Sequence, residues 1–222
     1  GSEPEEEDDP SGSGAAPERL IRRAYSVSSG SQVQEYVEFY ITLVGSGQLT
    51  PRLFGLQTGA RLFMSPKSTG VFTLERIPEG SHILLIATGT GLAPYMSMVR
   101  TLPGQAYSRM AIVHGARCSW DLGYRAELQS LSRVRNDFNY IAAISNPMAD
   151  PSWVGPTGRL DAVLTRPEVL EKIGFPLEPR TSHAFICGHP GMVESVTSLL
   201  EDKGFVRGSR KEPGNLHVEK YW

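Results

Sequence analysis

Apolar residues follow two different rhythms along this chain, and the rhythm changes near residue 80. From His82 onward, continuous apolar runs at Ile83–Ala87, Met110–Val113, Tyr140–Ile144 and Ala184–Cys187 alternate with helical segments at about 91–102, 122–134 and 190–203. Gly204 stops the last helix. A strand that is apolar at every position is covered on both faces, so this alternation predicts a doubly wound parallel sheet. Residues 19–79 instead read as β-rich. Leu20–Val27 and Tyr36–Val44 have the aromatic and β-branched content of strands, and Gly59–Ser65 and Gly70–Leu74 predict two shorter ones. Gly45-Ser46-Gly47 breaks the second strand. Thr50-Pro51 then reads as an N-cap and first-turn proline opening a short helix through Leu56.

Residues 1–17, acidic and then Ser-Gly-Ser-Gly-Ala-Ala-Pro, have almost nothing apolar to bury and predict a disordered acidic linker. The expected organisation is therefore that linker, part of a small β domain over 18–80, and a doubly wound α/β nucleotide-binding domain over 81–222.

Composition changes this picture in three ways. Hydrophobic residues make up 40% of the 222, enough for a real core, yet no apolar run approaches the roughly 20 residues of a membrane span. The acidic start is unlike a signal peptide, and two distant cysteines, Cys118 and Cys187, suit a reducing compartment; a cytoplasmic location is expected. Six of the 24 acids lie in residues 1–17, which hold no Lys or Arg, so the rest carries 22 bases against 18 acids. A mildly basic body suits anionic partners such as dinucleotide phosphates or an acidic carrier protein, and calls for neither nucleic acid nor membrane.

Three segments carry candidate chemistry. Thr88-Gly89-Thr90-Gly91-Leu92-Ala93-Pro94 directly follows the strand Ile83–Ala87. Glycines at a strand's carboxyl end let backbone approach a ligand, and the following helix turns free N–H groups and its positive dipole end toward a phosphate. Pro94 replaces the third fingerprint glycine, and the same residues also make a tight strand-to-helix turn with no ligand. Arg23-Ala24-Tyr25-Ser26 places a cation, an aromatic face and a hydroxyl on one strand; Arg23 and Tyr25 project to one side and Ser26 to the other. The helix start at Thr50 is a third possible anion site. His82, His114, His183, His189 and His217 show no ligand spacing, so no metal site is expected, and two cysteines fall short of the four ligands of a [2Fe–2S] cluster.

In order and spacing, these segments resemble the bacterial ferredoxin/flavodoxin–NADP⁺ reductases. Arg23-Ala24-Tyr25-Ser26, Val37-Glu38-Phe39-Tyr40 and Gly47-Gln48-Leu49-Thr50-Pro51-Arg52-Leu53 resemble the family's flavin domain. Ala87 through Ser97 is similar to its nicotinamide loop. Val113-His114-Gly115-Ala116-Arg117 and Thr157-Gly158-Arg159-Leu160 are similar to its adenosine-end segments. Cys187-Gly188-His189-Pro190 and the terminal Glu219-Lys220-Tyr221-Trp222 complete the resemblance, over about residues 19–222.

The resemblance implies an FAD-dependent reductase exchanging electrons between NADP(H) and ferredoxin or flavodoxin, a monomer when complete. Arg23 would clamp the FAD pyrophosphate, Tyr25 would lie against the isoalloxazine, and Ser26 would sit near flavin N5. Tyr40 would join the flavin contacts, and Leu49 and Thr50 would offer N–H groups to the phosphates. Thr88, Gly89 and Gly91 would line the nicotinamide and its pyrophosphate. Arg117 and Arg159 would bind the 2′-phosphate, and Trp222 would stack on the FAD adenine. Ser26, Cys187 and Glu219 would be the catalytic polar groups around the reacting rings.

Two departures matter. Ser145-Asn146 stands where many relatives read Ser-Arg, so one 2′-phosphate cation is missing. A short acidic linker occupies the space of the family's first two barrel strands, so an incomplete antiparallel β-barrel is expected over 18–80. Two other readings follow: an NADH-preferring flavin reductase, or a dinucleotide-binding chain that holds flavin poorly and is inactive alone.

Overall fold

The computed structural model describes residues 21–67, 69–101, 107–208 and 213–220. Two compact units are present, Gly1–Ala24 with Leu43–Ala60 and Tyr25–Thr42 with Arg61–Trp222. The smaller holds a five-residue helix, α1 (Thr50–Phe54). Thr50 is the first helical residue and not the expected cap; Leu49 takes the N-cap position without a side-chain bond. The reason is local. Thr50 Oγ1 accepts from Val44 N and donates to Val44 O, both at 3.0 Å, latching the turn that Gly47 N closes onto Val44 O at 2.8 Å.

The larger unit is built on five parallel strands, β1 (His82–Thr88), β2 (Arg109–Ala116), β3 (Phe138–Ile144), β4 (Ser182–Gly188) and β5 (Leu216–Lys220), in the order β3-β2-β1-β4-β5. Helices α2 (Ala93–Thr101), α3 (Arg125–Val134), α4 (Leu160–Val163), α5 (Pro167–Ile173) and α6 (Pro190–Asp202) connect them. Side chains alternate across the sheet. Ile83 and Leu85 of β1, Met110 and Ile112 of β2 and Phe185 of β4 pack with Met96 and Val99 of α2 and Leu128 of α3. Leu84, Ile86, Val113 and Ile186 pack on the other face with Val163, Ile173, Val193 and Leu200 of α4–α6. Both faces are therefore cores, which is why these strands read as unbroken apolar runs. Truncating such a fully buried Leu or Ile to Ala costs about 2–5 kcal/mol.

The doubly wound half thus follows the expectation, with β1 to β4 each two to four residues longer than its apolar run. The short helices α4 and α5 and the edge strand β5 were not foreseen.

The β-rich half departs from it. Among the described residues of 21–79, the expected strands leave one antiparallel bridge, Val27↔Phe39, extended by Ser28 N donating to Glu38 O at 2.8 Å. Strand propensity marks a chain that fits a half-buried pleated surface; a ladder also needs a partner at each edge. In the larger unit Val27, Tyr36, Val37, Phe39, Leu62 and Phe63 are exposed. The expected linker at 1–17 and Trp222 lie outside the described residues.

Candidate active site

The chain runs from β1 outward through β2 to β3, then returns to place β4 on the other side of β1. Such a reversal opens a crevice beyond the carboxyl ends of the central strands, where ligands of open α/β sheets bind. β1 ends at Thr88, and Gly89–Leu92 forms a 3₁₀ turn into α2. A Cβ on Gly91 would overlap the Cys187 carbonyl oxygen and lie 2.6 Å from its carbon. Gly188, at φ +138°, lies so that its Cβ would come 2.7 Å from Thr88 O, and His189 N donates to Thr88 Oγ1 at 3.0 Å. The two loops therefore meet backbone to backbone, which only glycine allows. Gly89, at φ +54°, has nothing within 4 Å of its Cβ position, so this backbone faces open space in which a ligand can approach. Behind the turn, Tyr95 is fully buried and donates to Ile86 O at 3.1 Å.

Cys187 and Glu219 are cross-strand partners at the carboxyl ends of β4 and β5. The buried thiol donates to Glu219 Oε2 across 3.8 Å. Burial pushes the Glu219 carboxyl up, against the smaller opposite pull of that bond. Tyr25 and Ser26 are half-buried, and Tyr25 meets Phe39 edge to face at 6.5 Å between ring centres. Tyr40 packs in another direction: its ring lies against Gly123 and meets Tyr124 edge to face at 5.3 Å. In the smaller unit, Arg23 is exposed and its Nη1 donates to Arg22 O at 2.8 Å, while Leu49 and Thr50 open α1.

At the far side of the crevice, Ser145 N donates to Ala116 O and Asn146 N to Arg117 O, both at 2.9 Å. Gly158 N donates to Ile144 O at 2.8 Å, which brings Arg159 to the same end of β3. Arg117 is exposed, and Arg159 is 70% exposed with a 3.3 Å ion pair to Asp161. Arg117, Asn146 and Arg159 thus sit at the carboxyl ends of β2 and β3.

Sequence reasoning missed two features. The Arg125 guanidinium lies 4.8 Å over the Trp153 ring. Glu38, Arg100 and Tyr124 form a hydrogen-bonded cluster; its one sequence signal was the alternation that puts Glu38 and Tyr40 on one face. Among the described residues no three His, Cys, Asp or Glu stand together as a metal site. No described helix is long and apolar enough to cross a membrane.

Comparison with known proteins agrees with this geometry. Residues 85–198 match the family described as oxidoreductase NAD-binding domain. The flavodoxin/ferredoxin–NADP reductase of Buchnera aphidicola is 31% identical over 206 residues, covering 92% of this chain and 82% of the relative. That of Escherichia coli K12 is 31% identical over 205 residues, covering 91% and 81%. Among solved structures, a ferredoxin NADP⁺ reductase from Neisseria gonorrhoeae with bound FAD and NADP superposes with a TM-score of 0.81 at 26% identity, covering 90% of this chain and 80% of that one. With a dinucleotide crevice at the sheet reversal and this identity over nine-tenths of its length, the chain belongs to the flavodoxin/ferredoxin–NADP reductase family of oxidoreductases.

Proposed function

We propose that the chain binds FAD and NADP(H) and exchanges electrons between NADPH and ferredoxin or flavodoxin. The observation that carries this is the crossing of Gly91 and Gly188, which places the Cys187–Glu219 pair beside a loop open to a dinucleotide. When bound, FAD would supply the redox chemistry that links a hydride donor to one-electron carriers. The residues position and shield. Thr88, Gly89 and Gly91 hold the nicotinamide and its pyrophosphate. Arg117 and Arg159 pair with the 2′-phosphate. Cys187 and Glu219 line the nicotinamide side, and the raised Glu219 carboxyl holds a proton more readily than an exposed one. Tyr25 and Ser26 meet the flavin ring, and Arg23, Leu49 and Thr50 its pyrophosphate. A planar guanidinium suits that last task better than an ammonium. Tyr40 seats its segment on Gly123 and Tyr124.

Residues 18–80 serve as a partial FAD-binding barrel and 81–222 as the NAD(P)-binding domain. The exposed Val27, Tyr36, Val37, Phe39 and Phe63 support this reading, for they are apolar side chains without a packed layer over them. Cys118 and Cys187 are buried thiols, which suits a cytoplasmic protein. Asn146, hydrogen-bonded beside Arg117, favours a second reading, an NADH-preferring flavin reductase.

The test is the flavin content of the purified chain together with NADPH-driven reduction of flavodoxin or ferredoxin. A yellow chain reducing either carrier with NADPH supports the assignment. A chain that binds NADP⁺ yet never retains FAD overturns it in favour of a dinucleotide-binding module.

A further inference from the structure

Helix α2 begins directly after the Gly89–Leu92 turn and carries Arg100 in its last turn. Arg100 sits at a junction of three chain segments. Its Nε and Nη2 fork onto the Glu127 carboxylate at 2.8 and 2.7 Å. Its Nη1 donates to Glu38 Oε1 at 2.7 Å and to Ser28 O at 2.8 Å. Tyr124 hydroxyl donates to the same Glu38 oxygen at 2.6 Å, and Ser28 Oγ donates to it at 3.2 Å. One residue on, Thr101 Oγ1 accepts from Ser31 N at 2.9 Å, and a Cβ on Gly30 would lie 3.1 Å from Arg100 O. Residues 28–31, which continue the Tyr25-Ser26 segment, are thereby fastened to the carboxyl end of α2.

An exposed ion pair contributes little and would not by itself single out this cluster. Three donors on one carboxylate oxygen are a different case, and the backbone adds a second argument. Tyr124 has φ +56° and ψ +9°, the left-handed region that a bulky side chain avoids. Strain of this kind persists where the surroundings over-determine the residue. Here the hydroxyl is held by Glu38, one ring edge by Tyr40, and the ring face by the Arg100 guanidinium 5.1 Å away. The hydrogen bonds from Tyr124 first and Arg100 second also hold the Glu38 carboxyl below the usual carboxylate range, against the opposing pull of burial.

We propose that Glu38, Arg100 and Tyr124 are positioning residues, and that α2 is the spacer setting Ser26 against the Thr88–Gly91 loop. The seven helical rises from Ala93 to Arg100 make this spacer about 10 Å long. The proposal rests on the flavin and nicotinamide roles given to those two ends.

The test compares Tyr124→Phe and Glu38→Gln with the wild-type full chain, the second variant serving if the first fails to fold. In the chain without added cofactor, amide hydrogen exchange over residues 28–31 rises roughly tenfold or more, the loss of one bond to a charged group, while β1–β4 amides keep their protection. In the FAD-loaded chain, single-turnover flavin reduction by NADPH slows about tenfold to a hundredfold, with flavin content and NADPH dissociation constant unchanged. Unchanged exchange at 28–31 overturns the proposal. So does faster exchange with an unchanged rate, or a rate that falls in step with NADPH affinity. If wild type never reduces flavin with NADPH, the proposed function fails instead, and the exchange measurement still decides whether α2 carries the Ser26 segment.

Discussion

Gly91→Ala tests the crevice most directly, because the damage can be worked from the backbone alone. The new Cβ would lie 2.6 Å from the Cys187 carbonyl carbon and 2.8 Å from Gly188 Cα. Carbons in contact sit about 3.5–4.0 Å apart, so the two loops must separate by about 1 Å. Neither can yield freely, since β1 and β4 pair in register from His82↔Ser182 to Ala87↔Cys187. Overpacking a rigid site costs about 1–3 kcal/mol, and backbone-on-backbone overlap belongs at the upper end. At about 2–4 °C per kcal/mol for a chain of this size, Tm falls by about 6–12 °C. A 1 Å displacement beside the reacting ring also lowers turnover by about a hundredfold. Gly89→Ala is the control: it adds a Cβ in open space at φ +54°, so it carries backbone strain of about 1–2 kcal/mol and no overlap. Thermal unfolding by circular dichroism and calorimetric titration with NADP⁺ read both effects. A Gly91→Ala protein that melts and binds NADP⁺ like wild type, or suffers less than Gly89→Ala, refutes the reasoning.

Other perturbations separate the remaining roles. Arg23→Ala should weaken FAD binding roughly 10- to 150-fold, the worth of one charge-assisted bond, seen as flavin lost on dialysis. Asn146→Arg should raise the NADPH-over-NADH ratio in kcat/KM about tenfold, if one charged contact adds about 1.4 kcal/mol. Burial holds His114 at about 4, against 6.5 in an exposed imidazole, so the unfolded chain takes up a proton that the fold refuses. That stability is whole above about 6.5 and drains as pH falls toward 4, by about 3 kcal/mol in all; urea unfolding should show it, and His114→Leu with Tyr140→Phe should flatten the slope. Glu219 has the opposite sign. Its folded carboxyl is raised, so its contribution is present below the usual carboxylate range and lost as pH rises through the folded value; Glu219→Gln should gain Tm over wild type as pH increases.

The nucleotide half was legible because its signals are local. A strand buried on both faces shows as a run such as Ile83–Ala87, and glycine and proline at 89–94 mark the turn whatever the tertiary context. β5 escaped notice for a physical reason: Leu216-His217-Val218-Glu219-Lys220 is an alternating five-residue strand paired along β4, with a polar residue at every second position. Residues 21–79 carried strand composition, but composition says nothing about where the partner lies. The same limit applies to the site. Thr88–Gly91 could be reasoned from strand-to-helix physics, whereas Cys187 meets Glu219 through a register between strands 32 residues apart. The Glu38–Arg100–Tyr124 cluster joins residues 62 and 86 positions apart, and no spacing rule reaches that far.

Two kinds of precision meet at this crevice, and they should fail differently. The Thr88–Gly91 turn is placed against Cys187 and Gly188 by close main-chain approach, with glycine as the tolerance and the Thr88 hydroxyl accepting from His189 N. A substitution there must move strands that are themselves the core, so stability and dinucleotide binding fall together. The Ser26 segment is held to the far end of α2 by side chains at the edge of the core, with Arg100 23% and Glu38 35% exposed. Loosening that attachment leaves the sheet and its loop intact, so the loss falls on the rate, where small displacements weigh most. A mutational map of the reductase should therefore divide along α2. Positions at its amino end should couple melting temperature to NADP⁺ affinity, and positions at its carboxyl end should slow flavin reduction at nearly constant Tm.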